Sequence, residues 1–256
     1  MPSSSSPASV PLTVSDLSRQ SVVVGDPSTP VQACGLALLL ANCSDCTIFV
    51  TASVTTLTAR NLRRCTVVCA PCSEAATLSQ CVDSVLSVAA PGVVFEELAG
   101  CHVFLASAAP VSVGAGCRDV RVGPYNVVGD GVLSGSGMRA WALDRGAPGG
   151  DALALCRLEG GGGGGGGGGS GGGGGAGVVR AIQPDDFFWR FLPVPQTLAE
   201  RLPLPAPYAT PDVPPQRPAE RSQRVEALLQ SKFVTWLLAD SKANSLKHVY
   251  RQADAR

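Results

Sequence analysis

The chain has 256 residues with 20 Lys and Arg against 20 Asp and Glu, so its formal net charge is zero. That balance offers no electrostatic footprint for nucleic acid or an anionic membrane surface. Charged residues make up 16% and hydrophobic ones 45%, which is apolar material enough for a substantial core.

In chain order, residues 1–20 are rich in Ser and Pro and are predicted to be disordered. They lack a basic stretch followed by an apolar run, so they do not read as a secretory signal. Ten cysteines without such a signal point to reduced thiols in the cytosol. No window approaches ~18 consecutive apolar residues, so neither a transmembrane helix nor membrane insertion is expected.

From residue 21 to about 128 the chain is β-like: short runs of Val, Thr, Leu and Cys punctuated by small residues, without helical periodicity. Within it CSDC (43–46) and CTVVCAPC (65–72) have the look of a metal knuckle. An internal repeat explains them differently. NCSDCTIFV (42–50), NLRRCTVVC (61–69), QCVDSVLSV (80–88), ELAGCHVFL (97–105) and GCRDVRVGP (116–124) begin 19, 19, 17 and 19 residues apart. One column then holds Cys43, Leu62, Cys81, Leu98 and Cys117, and a second holds Cys46, Cys65, Ser84, Cys101 and Val120. Two more contain Ile48, Val67, Leu86, Val103 and Val122, and Val50, Cys69, Val88, Leu105 and Pro124.

A period near 19 with alternating small apolar residues suits one coil of a parallel β-helix, each coil stacked about 4.8 Å from the last. Cysteine suits such ladders as a small, easily buried hydrophobe. Because these columns mix Cys with Leu and Val, the cysteines read as ladder rungs ahead of zinc ligands, and zinc ahead of redox use. Cys72 falls in phase with Ser53 and Pro91, at a predicted turn. No metal or cofactor is expected.

GDGVLSGSG (129–137) is glycine-rich but lacks the lysine of a phosphate loop, and reads as a turn-rich cap. His102, the one histidine of the β region, has no evident catalytic partner. Residues 159–177 span a polyglycine linker. After it come IQPDDFFWRFLPV (182–194), a proline-rich run to Pro218 and a predicted C-terminal helix. In that helix Val225, Leu228, Leu229, Trp236 and Leu237 share one face, with Phe233 beside it. Asp185 and Asp186 are neighbours in extended chain and do not form a carboxylate pair.

Coils of the form N-C-x-D-C-x-I-x-V, with a G-P-Y-N exit at Gly123 to Asn126, resemble the tubulin-binding cofactor C domain, also found at the C-terminus of cyclase-associated proteins. The resemblance covers residues 21–158. Trp141 to Asp144, Phe187 to Pro195 and EALLQSKFVTWLL (226–238) resemble the TBCC domain-containing members in particular. It implies an all-β, right-handed parallel β-helix of C-CAP type over 21–158, and a C-terminal α-helical extension within 178–256 that packs on or near it. Members of this type usually carry a further N-terminal region, so the chain reads as a short form or a truncated gene model.

In the family, cofactor C and a photoreceptor relative activate GTP hydrolysis through an arginine in a Q-x-R motif on a short coil. Here that coil is VAAPGVVFEEL (88–98), and Gly92 and Val94 occupy the glutamine and arginine positions. The resemblance therefore implies a non-enzymatic cytoskeletal scaffold. It would act at a microtubule-organising centre (centrosome, basal body or spindle pole) in the cytoplasm, with effects on Golgi position and cell shape. Its partners would be cytoskeletal or centrosomal proteins, tubulin or a small GTPase among them. Arg63, Arg64, Arg118, Arg121, Phe233 and Trp236 are the candidate partner-binding residues, with Arg63, Arg64, Arg118 and Arg121 otherwise solvated turn residues. The alternatives are an activator of GTP hydrolysis by tubulin or an Arf-like GTPase, and an actin-binding module like that of the cyclase-associated proteins.

Overall fold

A four-residue run with every second side chain apolar can bury only one face, and it does so by stacking on a like run. The computed structural model shows this happening coil after coil. It describes residues 11–139, 179–194, 197, 200, 201, 203, 204 and 208, together with the backbone of 233–240 and 245–252.

Two parallel sheets form the body. The first contains β1 (Leu12–Ser15), β3 (Ala37–Ala41), β5 (Thr56–Arg60), β7 (Ala75–Ser79), β9 (Gly92–Glu96) and β11 (Ser112–Val113), in that spatial order. The second contains β2 (Ser21–Val24), β4 (Thr47–Val50), β6 (Thr66–Cys69), β8 (Val85–Ala90), β10 (His102–Ser107), β12 (Val120–Pro124) and β14 (Val179–Ala181). The chain alternates between the sheets, so each coil contributes one strand to each: an all-β parallel solenoid.

Register follows the repeat. Ile48 faces Val67, Val67 faces Leu86, Val103 faces Leu86 on one side and Val122 on the other. All five are buried to within 1%, and with Leu38, Leu57, Leu78 and Phe95 from the first sheet they fill the solenoid. The short coil is absorbed without a slip, because β9 keeps register with β7 through Ala75↔Gly92 to Ser79↔Glu96.

A second apolar layer lies outside the second sheet. Val68, Ala70 and Ala89 face outward yet are buried, because Tyr125, Val127, Leu133, Met138, Leu192 and Val194 pack over them. The covering chain is held by a small parallel pair, β13 (Val127–Val128) with β15 (Arg190–Phe191). Tyr125 Oη donates to the Cys69 carbonyl at 2.6 Å. Val31 reaches over from the loop after β2, its N–H donating to the Asp130 carbonyl at 2.7 Å. Gly135 permits that approach: a Cβ there would lie 1.8 Å from the Val31 carbonyl oxygen.

Two expectations from the sequence are corrected. The first coil begins at β1, inside the stretch predicted to be disordered, because Leu12 to Ser15 pair with Leu38 to Ala41. The predicted C-terminal helix is not seen: Phe233, Trp236 and Leu237 lie in β16 (Phe233–Asp240), paired antiparallel with β17 (Ser245–Gln252) and parallel with β2. Two forces compete for this segment. Its apolar spacing fits a helix, but Phe, Val, Thr and Trp also favour strand, and β2 would otherwise present unpaired edge groups to solvent. Val225, Leu228 and Leu229, like Trp141 to Asp144 and the polyglycine linker, lie outside the described residues.

Candidate partner-binding surface

Between the two sheets each coil turns through the same five-residue corner, and its backbone dictates its side chains. The first corner position has positive φ in successive coils: Asp16 (59°), Asn42 (55°), Asn61 (51°), Gln80 (53°), Glu97 (53°) and Gly116 (84°). So does the fourth: Arg19 (54°), Asp45 (55°), Arg64 (50°), Asp83 (50°), Gly100 (61°) and Asp119 (48°). This left-handed region favours Gly, Asn and Asp, which is why those residues recur at fixed offsets from the cysteines. Between the two, Ser18, Ser44, Arg63, Val82, Ala99 and Arg118 form a column of parallel bridges.

The corner side chains bond along the solenoid axis. Asn61 Nδ2 donates to Asn42 Oδ1 at 2.9 Å, Asn42 Nδ2 to Asp16 Oδ1 at 3.1 Å, and Gln80 Nε2 to Glu97 Oε2 at 3.1 Å. Arg64 grips Asp45 through two bonds, Nε to Oδ1 at 2.7 Å and an Nη to Oδ2 at 2.9 Å. That guanidinium holds the Asp45 carboxyl below its ordinary value.

The second and fifth corner positions point inward and carry the cysteines. Cys43, Cys46, Leu62, Cys65, Cys81, Leu98, Cys101 and Cys117 are all at most 6% exposed. Their thiols do more than fill space. Cys46 donates to the Ser44 carbonyl at 3.2 Å, Cys65 to Arg63 at 3.4 Å, and Cys101 to Ala99 at 3.5 Å. Ser84 stands in the same column and does likewise to Val82 at 2.9 Å. In these four coils the column therefore pairs a small group's donor with the carbonyl two residues back, whereas Val120 fills the same place in the last coil with an apolar group alone. Burial raises the Cys81 thiol to about 12 and pushes Cys43, Cys65 and Cys101 up as well, so these groups stay protonated and unreactive at neutral pH. Cys69 at the end of β6 and Cys72 just beyond it lie buried together, and the neighbouring Cys72 thiol and burial hold the Cys69 thiol well above its ordinary value. Among the described residues every cysteine is free, and no three metal-ligating side chains converge.

The candidate arginines separate. Arg63 and Arg118 stand on the bridge column at the two ends of an open groove of about 670 Å³, lined also by Asn61, Gln80, Val82 and Glu97. Neither guanidinium has an ion-pair or hydrogen-bond partner among the described residues. Arg64 is committed to Asp45. Arg121 lies on the outer face of the second sheet, between His102 and Arg180 of neighbouring strands. Phe233 and Trp236 are strand residues at the opposite end of that sheet. Sequence reading found the arginines but not the groove; its signal was the run Asn61, Gln80, Glu97 and Gly116 at one offset.

Gly92 and Val94 lie on β9 in the first sheet. Gly92 pairs with Ala75, and Val94 sits between Thr77 and Ser112. The space over Gly92 is open, since an added Cβ would meet nothing nearer than the Glu74 carbonyl at 4.0 Å. In the glycine-rich turn Glu200 accepts bonds from Leu133 N at 3.0 Å, Ser134 N at 3.1 Å and Ser134 Oγ at 2.9 Å. Partial burial raises its carboxyl, but those donors outweigh it and leave it below its ordinary value. Asp185 and Asp186 are exposed on a single 3-10 turn, and His102 is half-buried.

Residues 35–133 match the family model described as tubulin binding cofactor C. That segment is a tubulin binding cofactor C domain. The match opens at Gly35, ahead of β3, and runs through β12 into the glycine-rich turn, so the cofactor C domain comprises most of the solenoid, including the groove and β9. The coil formed by β1 and β2 precedes it. No curated protein matches the chain at a significant level. Among the described residues of the cofactor C domain and its flanks, no helix is long and apolar enough to cross a membrane.

Proposed function

We propose that this protein is a non-enzymatic scaffold of the TBCC domain-containing type, acting in microtubule-linked organisation of the cell at a microtubule-organising centre, with consequences for centrosome, basal body and Golgi position. The family assignment supports the cytoskeletal part of the reading. The observation that carries the non-enzymatic part is the chemistry around β9. Gly92 and Val94, at the positions the family resemblance gives to glutamine and arginine, are flanked by Ala75, Thr77 and Ser112. Among the described residues no cation stands beside these in that patch to stabilise charge on a transferring phosphoryl group, where an arginine is worth several powers of ten in rate.

Single-turnover GTP hydrolysis by tubulin, and by an Arf-like GTPase, is expected to proceed at its intrinsic rate with the full chain added. Acceleration of about 100-fold or more would overturn the non-enzymatic reading. Gly92→Gln with Val94→Arg supplies the missing pair at outward positions, and is expected to leave folding intact because the space over Gly92 is open. A tagged copy is expected at the spindle poles of dividing cells and beside the centrosome between divisions; uniform cytosolic signal would refute the organising-centre role.

The arginine pair of the groove favours a second reading, an activator that presents Arg63 or Arg118 from the corner instead of from β9. Acceleration lost in Arg63→Ala or Arg118→Ala would identify it.

A further inference from the structure

We infer that the corner groove is a binding site for an extended acidic peptide carrying two carboxylates four residues apart. Arg63 and Arg118 sit in one bridge column with Val82 and Ala99 between them. Three rungs at ~4.8 Å put their backbones about 14 Å apart. An extended chain advances ~3.4 Å per residue, so positions i and i+4 span the same ~14 Å and point to the same side. A peptide laid along the solenoid axis therefore presents one carboxylate to each arginine.

The residues between the arginines specify the rest. Val82 and Ala99 are small and uncharged, so the floor of the groove between the two arginines carries no charge of its own. Glu97 and Gln80 form the adjacent wall, already bonded to each other at 3.1 Å, and Glu97 keeps one carboxylate oxygen for a donor from the ligand. A hydroxyl or amide at i+2 supplies that donor. Neither arginine has a partner of its own among the described residues, so binding breaks no ion pair. Arg64, the next residue after Arg63 in the corner, is neutralised by Asp45, which confines the cationic character to the two ends. The local charge of the lining is one acid against two bases, which favours an acidic ligand and disfavours a basic one.

This names the chemistry of a partner for the scaffold reading and stands on the groove alone, so the two can fail separately. The test is titration of the isotope-labelled full chain with the peptide Glu-Gly-Ser-Gly-Glu, read by backbone amide shifts. Shifts are expected at residues 61–63, 80–82, 97–99 and 115–118. Arg63→Gln or Arg118→Gln is expected to weaken binding about tenfold, the scale of one charge-assisted hydrogen bond, and the double substitution to abolish it. Arg121→Gln, on the other side of the turn, is expected to bind as the parent does. The peptide Glu-Glu-Gly-Ser-Gly, with the same charge and the wrong spacing, is expected to bind about tenfold more weakly. Absence of shifts at millimolar Glu-Gly-Ser-Gly-Glu, equal loss in Arg121→Gln, or equal binding of the two peptides would overturn the site. A chain that fails these titrations yet localises to the organising centre loses the peptide site and keeps the scaffold role.

Discussion

The outer face of the second sheet and the corner edge are built from the same coils, yet they end differently. On the sheet, Phe104 projects outward and is fully buried, its ring 5.2 Å from Phe188 and 5.9 Å from Phe187. On the corner, the outward positions carry Asn, Asp, Arg and Glu, and no element among the described residues covers them. A solenoid whose repeat were uniform outside as well as in would have two equivalent surfaces. Here aromatic and aliphatic outward residues commit one surface to packing, and residues that tolerate positive φ leave the other open to partners.

The largest expected effect tests the covered side. Phe104→Ala removes a ring buried between the solenoid and the 187–194 segment and should cost about 3–5 kcal/mol, measured by urea unfolding. A cost below about 1 kcal/mol would mean that the outer layer rests on the sheet without packing into it, and the contrast between the two surfaces would collapse.

The corner should respond to backbone chemistry more than to lost contacts. Asn61 has φ 51° and donates to Asn42 at 2.9 Å. Asn61→Val places a β-branched residue in the left-handed region and should cost about 1–2 kcal/mol or more. Asn61→Gly loses the same side-chain bond but suits the backbone, and should fall within about 0.5 kcal/mol of the parent. Equal losses in the two variants would show that the side-chain ladder, and not the turn conformation, holds the corner together.

The difference between the surfaces also explains what could be read without the structure. The inner ladders were legible because Ile48, Val67, Leu86, Val103 and Val122 obey one period and one polarity, and β-helix stacking turns period directly into register. The covering layer was not legible. Tyr125 reaches the Cys69 carbonyl 56 residues back, and Val31 meets Asp130 from almost 100 residues away (130 − 31); no local pattern encodes such meetings. The C-terminal segment misled because its apolar spacing serves a helix while its residue types also serve a strand, and the open edge of β2 favours pairing. The groove sits between these cases. Its arginines were visible one at a time, but their shared column depends on which corner residue forms the bridge, a detail of two or three dihedral angles.

The smallest expected effect separates charge from conformation at the corner. Arg64 is 62% exposed and Asp45 33% exposed, so their bidentate pair is open to water and to salt. Arg64→Ala keeps the left-handed backbone with another L-residue and removes only the pair. It should lower Tm by no more than about 2 °C in dilute buffer, and less at high ionic strength where such charges are screened. Arg64→Gly also loses the pair but relaxes the φ of 50°, so it should melt above Arg64→Ala. Because Arg64 holds the Asp45 carboxyl below its ordinary value, the pair's contribution is present above that ordinary value, near 3.8, and fades as pH falls below it. The gap between the parent and Arg64→Ala should therefore close in acid, while the gap between the glycine and alanine variants should persist. A glycine–alanine gap that closed with the first would place the strain in the ion pair and would leave the positive-φ column without its proposed cost.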